Sequence, residues 1–203
     1  MKNRGYLFLL VFLVPATGAA AGYFFLLAPA KSLAENEQAA AAAIKTLASA
    51  EADFRANDRD WNLVNDFWTG DVAGLYYVRS NAANDAPQIR LILREIAEAD
   101  ARPLKPLGPG PVPHHGYFFI ALEEDDAMEG SERLYKQDTG GKPPMGKVHN
   151  ASKFGFCAYP AEYGVTGKFT YLINENNTVF RRDIGGKPTT HFPTDGPPGR
   201  DHP

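Results

Sequence analysis

Three kinds of hydrophobic pattern follow one another along the chain. From Gly5 to Ala30 no residue carries a charge, with Lys2 and Arg4 before the run and Lys31 after it. As a helix, such a run exceeds the ~30 Å hydrocarbon core of a bilayer. The second kind has helical spacing. Ile44, Leu47 and Phe54 fall at i, i+3 and i+10 with Ala48 and Ala50 beside them, and Ser32 with Glu35 forms a capping box ahead of them. This predicts a helix from Leu33 to Ala56, stopped at Asn57-Asp58. Ile89, Ile92, Leu93 and Ile96 repeat at i, i+3, i+4 and i+7 behind Pro87, predicting a second helix over Pro87–Ala99. The third kind belongs to strands. Tyr117 to Leu122 is apolar on both faces, Phe154 to Tyr159 and Phe169 to Ile173 alternate, and Asn174 to Asn177 supplies turn residues before Thr178–Asp183. Asp71 to Val78 fits a short helix or a strand equally well. The class is α+β: an N-terminal membrane helix and amphipathic helices, then a small antiparallel β-sheet.

The first run also decides compartment. Basic residues on its short side favour a cytoplasmic N-terminus, with the remainder exported. Pro15 divides the run, so Tyr6–Val14 also has the length of a signal-peptide apolar region, with Ala19-Ala20-Ala21 as a cleavage site. An uncleaved anchor, a cleaved signal and a processed pilin-type leader after Gly5 are the three readings, and each places the bulk of the chain outside the cytoplasmic membrane. The expected organisation is an anchor or signal segment over 1–31, one α+β ectodomain over 32–184, and a Gly/Pro-rich tail over 185–203. Five prolines between Arg102 and His115 make an extended linker, and Glu123 to Lys147 is a long acidic loop.

Composition narrows the chemistry. Lys and Arg number 21 against 24 Asp and Glu, a net charge of −3, so no basic face offers itself to nucleic acid. A single cysteine, Cys157, excludes an intrachain disulfide and a multi-thiolate zinc site, and its mid-strand place marks a buried, inert thiol. The chain holds five histidines: His114, His115, His149, His191 and His202. The adjacent pair His114 and His115 points opposite ways in extended chain, and His191 and His202 fall in the tail, so no histidine site is expected. Glu123 to Asp126 reads as a solvated charge run. No nucleophile elbow, His-Glu-x-x-His or phosphate loop is present.

One segment is chemically suggestive. Asp58, Asp60 and Asn62 stand two apart with Asp66 beyond them, the places of oxygen ligands 1, 3, 5 and 9 in a calcium loop. Leu63 takes the place of the turn glycine and Thr69 that of the bidentate glutamate. The same residues also suit a loop that bonds its own backbone. A second candidate surface is the turn after Tyr159, where Glu162 and Tyr163 could line a ligand or partner site or peg the corner by hydrogen bonds.

Gly74-Leu75-Tyr76-Tyr77, His115-Gly116-Tyr117-Phe118-Phe119, the run from Phe154 through Tyr159-Pro160-Ala161-Glu162-Tyr163-Gly164, then Gly167 to Asn174 and Val179 to Asp183 follow in order. In order and wording they resemble the bacterial exported family of domain of unknown function 2950, over roughly Ala50 to Gly186. The resemblance implies an exported protein and carries no activity, cofactor or catalytic residue. A long leading helix before a small sheet is also similar to pilins and pseudopilins in architecture. Two functions stand at this point. One is a membrane-tethered envelope protein with a structural or interaction role, not an enzyme, held by residues 5–30 and contacting an envelope partner. The other is an envelope hydrolase or a calcium-dependent binding module built on Asp58, Asp60, Asn62 and Asp66.

Overall fold

The computed structural model describes residues 32–81, 83, 85–142 and 146–193. The readings that fall on residues 1–31 and on His202 lie outside them. No helix among the described residues is long and apolar enough to cross a membrane.

Helix α1 (Leu33–Ala56) has the expected bounds. Ser32 Oγ accepts from the Glu35 amide while the Glu35 carboxylate accepts from the Ser32 amide, closing the capping box. The small side chains of Ala40, Ala43 and Ala48 let the helix lie close to its neighbours, with Ile44, Leu47 and Phe54 filling the contact. After it come strand β1 (Phe67–Trp68) and a 3₁₀ turn over Ala73–Tyr76, which resolves the ambiguity of Asp71–Val78.

Helix α2 (Arg94–Glu98) is much shorter than the spacing predicts. Residues 87–91 instead pair with the 3₁₀ turn and the segment after it. Ser80 N donates to Pro87 O, Ile89 N to Val78 O and Leu91 N to Leu75 O, and Arg90 takes φ +52°. Those amides are committed before a helical turn can form, so Ile92 and Ile96 are buried while Leu93 stays exposed.

The remaining strands are β2 (Tyr117–Ala121), β3 (Glu124–Asp125), β4 (His149–Asn150), β5 (Gly155–Pro160), β6 (Thr170–Asn174), β7 (Phe180–Arg182) and β8 (His191–Phe192). The main sheet runs in the order β2-β5-β6-β7, antiparallel throughout. The β6–β7 connection is the expected hairpin, with Asn177 at φ +55°. Tyr117, Phe119, Phe156, Ala158, Tyr171 and Ile173 face α1, while Ile120, Cys157 and Leu172 face the other way, as strand alternation requires.

The second apolar face explains two departures from the sequence reading. Central strands buried on both sides need two covers, and α1 supplies one. The other comes from the long acidic loop and the Gly/Pro-rich tail. Tyr135 is buried against Ile120, Leu122, Cys157 and Leu172, and Phe192 packs edge-on against Phe180 at 5.8 Å. β3 pairs in parallel with β8, so the tail is structured at least through Phe192. The charge run is correspondingly paired: Glu124 and Arg133 form an ion pair, Asp126 meets His191 Nδ1 at 3.0 Å, and Asp125 is buried 3.8 Å from Lys153. The His114–His115 expectation also fails. His115 at φ +48° and Gly116 at φ +74° make a tight turn, which brings the two rings to 4.3 Å rather than apart.

Candidate functional site

Strand β1 is only two residues long, but its pairing places the chemistry. Trp68 lies opposite His149 and Phe67 opposite Asn150, and Thr69 N donates to Val148 O at 2.8 Å. The polar loop that leads into β1 thereby meets a histidine from a distant part of the chain. One ligand atom each from Asp60, Asp66 and His149 lies within 4.8 Å of the others. His149 Nε2 is 2.8 Å from Asp60 Oδ2, close enough for an ion pair, yet without the alignment of a hydrogen bond. Asp66 Oδ2 accepts from Thr139 Oγ1, and Asp66 Oδ1 is buried with no partner.

The four residues with calcium-loop spacing divide at this point. Asp60 and Asp66 turn toward His149, and Asp60 Oδ1 also accepts from Asn62 N at 3.4 Å. Asp58 Oδ2 instead accepts from Leu63 N at 3.1 Å, and Asn62 Oδ1 accepts from Val64 N at 2.7 Å. These are bonds of a loop to its own backbone. Asn62 also donates from Nδ2 to Asp60 Oδ2 at 2.8 Å, which steadies that carboxylate. The loop does turn at the place of the missing glycine. Leu63 takes φ +71°, with Asp58 at +45° and Trp61 at +63°, three strained residues within six positions. Two carboxylates and one imidazole supply few of the six to eight oxygens that calcium takes, and they form a set closer to the taste of first-row transition ions.

Burial sets the electrostatics here. Glu51 is fully buried on α1, and loss of water pushes its carboxyl well above the usual range. The Trp68 amide, donating to Oε2 at 3.0 Å, opposes this. Burial likewise raises Asp66, partly offset by the Thr139 hydroxyl and by His149. Neither Glu51, Thr139 nor His149 stood out in the sequence. Nothing local marks them, because each acquires its role from a partner far along the chain. Thr139 and the amide of Lys142, which donates to Asn62 O at 2.8 Å, both come from the long loop between β3 and β4.

Beside this cluster lies a cleft of about 350 Å³, with Asp60 in its wall. Phe54, Trp61, Trp68 and Tyr77 give it aromatic surfaces, and Arg59, Arg79 and Lys105 give it cations. The chain has two tryptophans, and both line this cleft. Asp71 braces its wall: its carboxylate accepts from Trp68 Nε1, Gly74 N and Leu104 N at 2.6–3.0 Å, so both of its oxygens are engaged in holding the local backbone and the indole. Gly74 is required because a Cβ there would run into the Trp68 indole. Arg59 is bound to Asp53 at 2.6 Å and Lys105 sits over the Tyr77 ring at 4.7 Å. No ion pair involves Arg79 among the described residues.

A family model described as protein of unknown function (DUF2950) matches residues 29–194. The chain belongs to the DUF2950 family. No curated protein and no solved structure matches it, so the likeness to pilins draws no support from known folds. The DUF2950 match spans the cluster, the cleft and the main sheet alike.

The other candidate surface, Tyr159 with Glu162 and Tyr163, is spread over two environments. Tyr159 packs on Phe118 at 5.8 Å on the sheet. Tyr163 is exposed and donates its hydroxyl to the Asp183 carboxylate at 3.0 Å. The backbone of Glu162 is tied to Thr166, with Glu162 N donating to Thr166 Oγ1 at 3.0 Å. These bonds peg the corner. Cys157 is fully buried and its thiol is pushed up to about 12 by burial, against a nucleophilic role.

Proposed function

We propose that this DUF2950 protein is an exported, membrane-tethered envelope protein that works by binding, and that its ligand is an acidic saccharide held in the aromatic cleft. The membrane part of the reading rests on Lys2, Arg4 and the uncharged run Gly5–Ala30. The binding part is carried by one observation: both tryptophans of the chain line a cleft that also presents Arg79 and Lys105. A cavity of this size takes a ligand of one or two sugar rings. Flat indole faces receive the apolar faces of such rings, while guanidinium and ammonium groups receive carboxylates. Asp71, whose oxygens hold the Trp68 indole and two backbone amides, acts as scaffold for this cleft.

Two measurements test this. Fractionation of cells followed by the mass of the mature full chain should find it in the membrane with Met1 intact. Recovery in soluble form starting at Gly22 or Lys31 would remove the tether. Titration of the purified protein with muropeptide fragments should change tryptophan emission saturably, and Arg79→Ala should weaken the effect. Emission unaltered by any acidic saccharide would remove the ligand assignment.

A further inference from the structure

We infer that Asp60, Asp66 and His149 form a binding site for a first-row divalent cation of the zinc type. One donor atom from each lies within 4.8 Å of the other two. A second observation is independent of the carboxylate pair. Asp66 and His149 are each 1% exposed; Asp66 Oδ1 has no hydrogen-bond partner, and His149 Nε2 meets the Asp60 carboxylate at 2.8 Å without the alignment of a hydrogen bond. Buried polar atoms are nearly always paired, so an unpartnered Asp66 Oδ1 in a ligand-like cluster needs a reason. A cation supplies it, giving Asp66 Oδ1 a partner and replacing the poorly aligned Asp60–His149 contact with two ligand bonds.

The surroundings have the form that metal sites use. Thr139 Oγ1 donates to Asp66 Oδ2 and leaves Oδ1 for the ion, while Asn62 Nδ2 steadies Asp60 at Oδ2, the oxygen nearest His149. The β1–β4 pairing fixes His149 on a strand, where its ring also meets Trp68 edge-on at 5.4 Å. Zinc bonds imidazole nitrogen at about 2.0–2.1 Å and carboxylate oxygen at about 2.0–2.2 Å. A small outward movement of Asp60 from its 2.8 Å approach to His149 gives room for that ion. Three protein donors leave one tetrahedral position for water or for an anion. Asp60 is shared with the cleft wall, so a carboxylate in the cleft is the natural fourth ligand. The cation site stands whether or not the cleft holds a saccharide, because all three protein donors come from the chain itself.

The test uses the full-length protein, stripped with a chelator and titrated separately with zinc, cobalt(II) and calcium. Zinc should bind with a single equivalent and calcium should not compete with it. Cobalt should give the intense visible bands of a four-coordinate site. Asp66→Asn and His149→Gln should each weaken zinc by more than about tenfold, Thr139→Ala by less, and Asp58→Asn not at all. Failure of the folded wild-type protein to take up zinc overturns the assignment, as does zinc affinity unchanged in both ligand variants. Calcium binding that depends on Asp58 would do the same, in favour of the calcium loop. Where a ligand variant fails to fold, the cobalt spectrum of the wild-type protein decides: octahedral, weakly absorbing cobalt counts against the site.

Discussion

The four-stranded sheet and the polar corner between α1 and β4 both pack on the same helix, yet they are built to opposite rules. In the central strands of the sheet, apolar residues are buried on both faces, from Tyr117 and Phe156 on one side to Cys157 and Leu172 on the other. In the corner, Asp58, Trp61 and Leu63 hold positive φ, and Glu51, Asp58, Trp61, Asp66, Thr69 and His149 each keep a buried polar atom without a hydrogen bond. Among the described residues, Arg133 and Tyr135 alone do so elsewhere. Strain and unpaired polar groups persist only where the surrounding structure fixes them, and they gather at sites with a task. The sheet, with the capped helix against it, supplies the stability against which the corner is held.

Substitutions should separate the two regions by size of effect. Phe156→Ala in the sheet removes a fully buried ring, and chemical denaturation should show a loss of about 3–5 kcal/mol. Gly74→Ala places a methyl against the Trp68 indole and should cost about 1–3 kcal/mol, with a shift in tryptophan emission that Phe156→Ala lacks in the folded state. Equal emission changes in both variants would blur the boundary drawn between the regions.

A pH effect comes next. Asp100 is buried and its carboxyl is pushed up to about 6, burial outweighing the amides of Arg102, Ala73 and Val72. The folded state therefore holds this proton more tightly than the unfolded chain. The stabilisation is complete below the unfolded value near 4 and is lost as pH rises through about 6. Denaturant midpoints across that window should fall with pH, and Asp100→Asn should flatten the slope. The smallest effect belongs to Leu63→Gly. Leu63 is 77% exposed at φ +71°, so glycine relieves backbone strain without removing packing, and stability should rise by up to about 1 kcal/mol. A loss there would mean that Leu63 is held by more than the turn.

The sheet was legible in the sequence because its signals are local. Alternation in Phe154–Tyr159 and Phe169–Ile173, the Asn-rich turn and the Ser32–Glu35 box each sit inside the element they specify. Periodicity overstates helix α2 because it cannot see that Ile89 and Leu91 lend their amides to Val78 and Leu75. The corner was half legible. Spacing found Asp60 and Asp66, but it could not tell a ligand from a side chain that bonds its own backbone, as Asp58 and Asn62 do. His149 and Thr139 were invisible, since a two-residue strand and a long loop bring them in from far along the chain.

The most direct test of the corner is tryptophan emission of the full-length, metal-free protein during zinc addition, because the Trp68 ring lies edge-on to His149. A saturable change complete at a single equivalent, and absent in His149→Gln, is the predicted result. Emission that stays constant while the protein remains folded, or that changes equally in His149→Gln, would contradict the account.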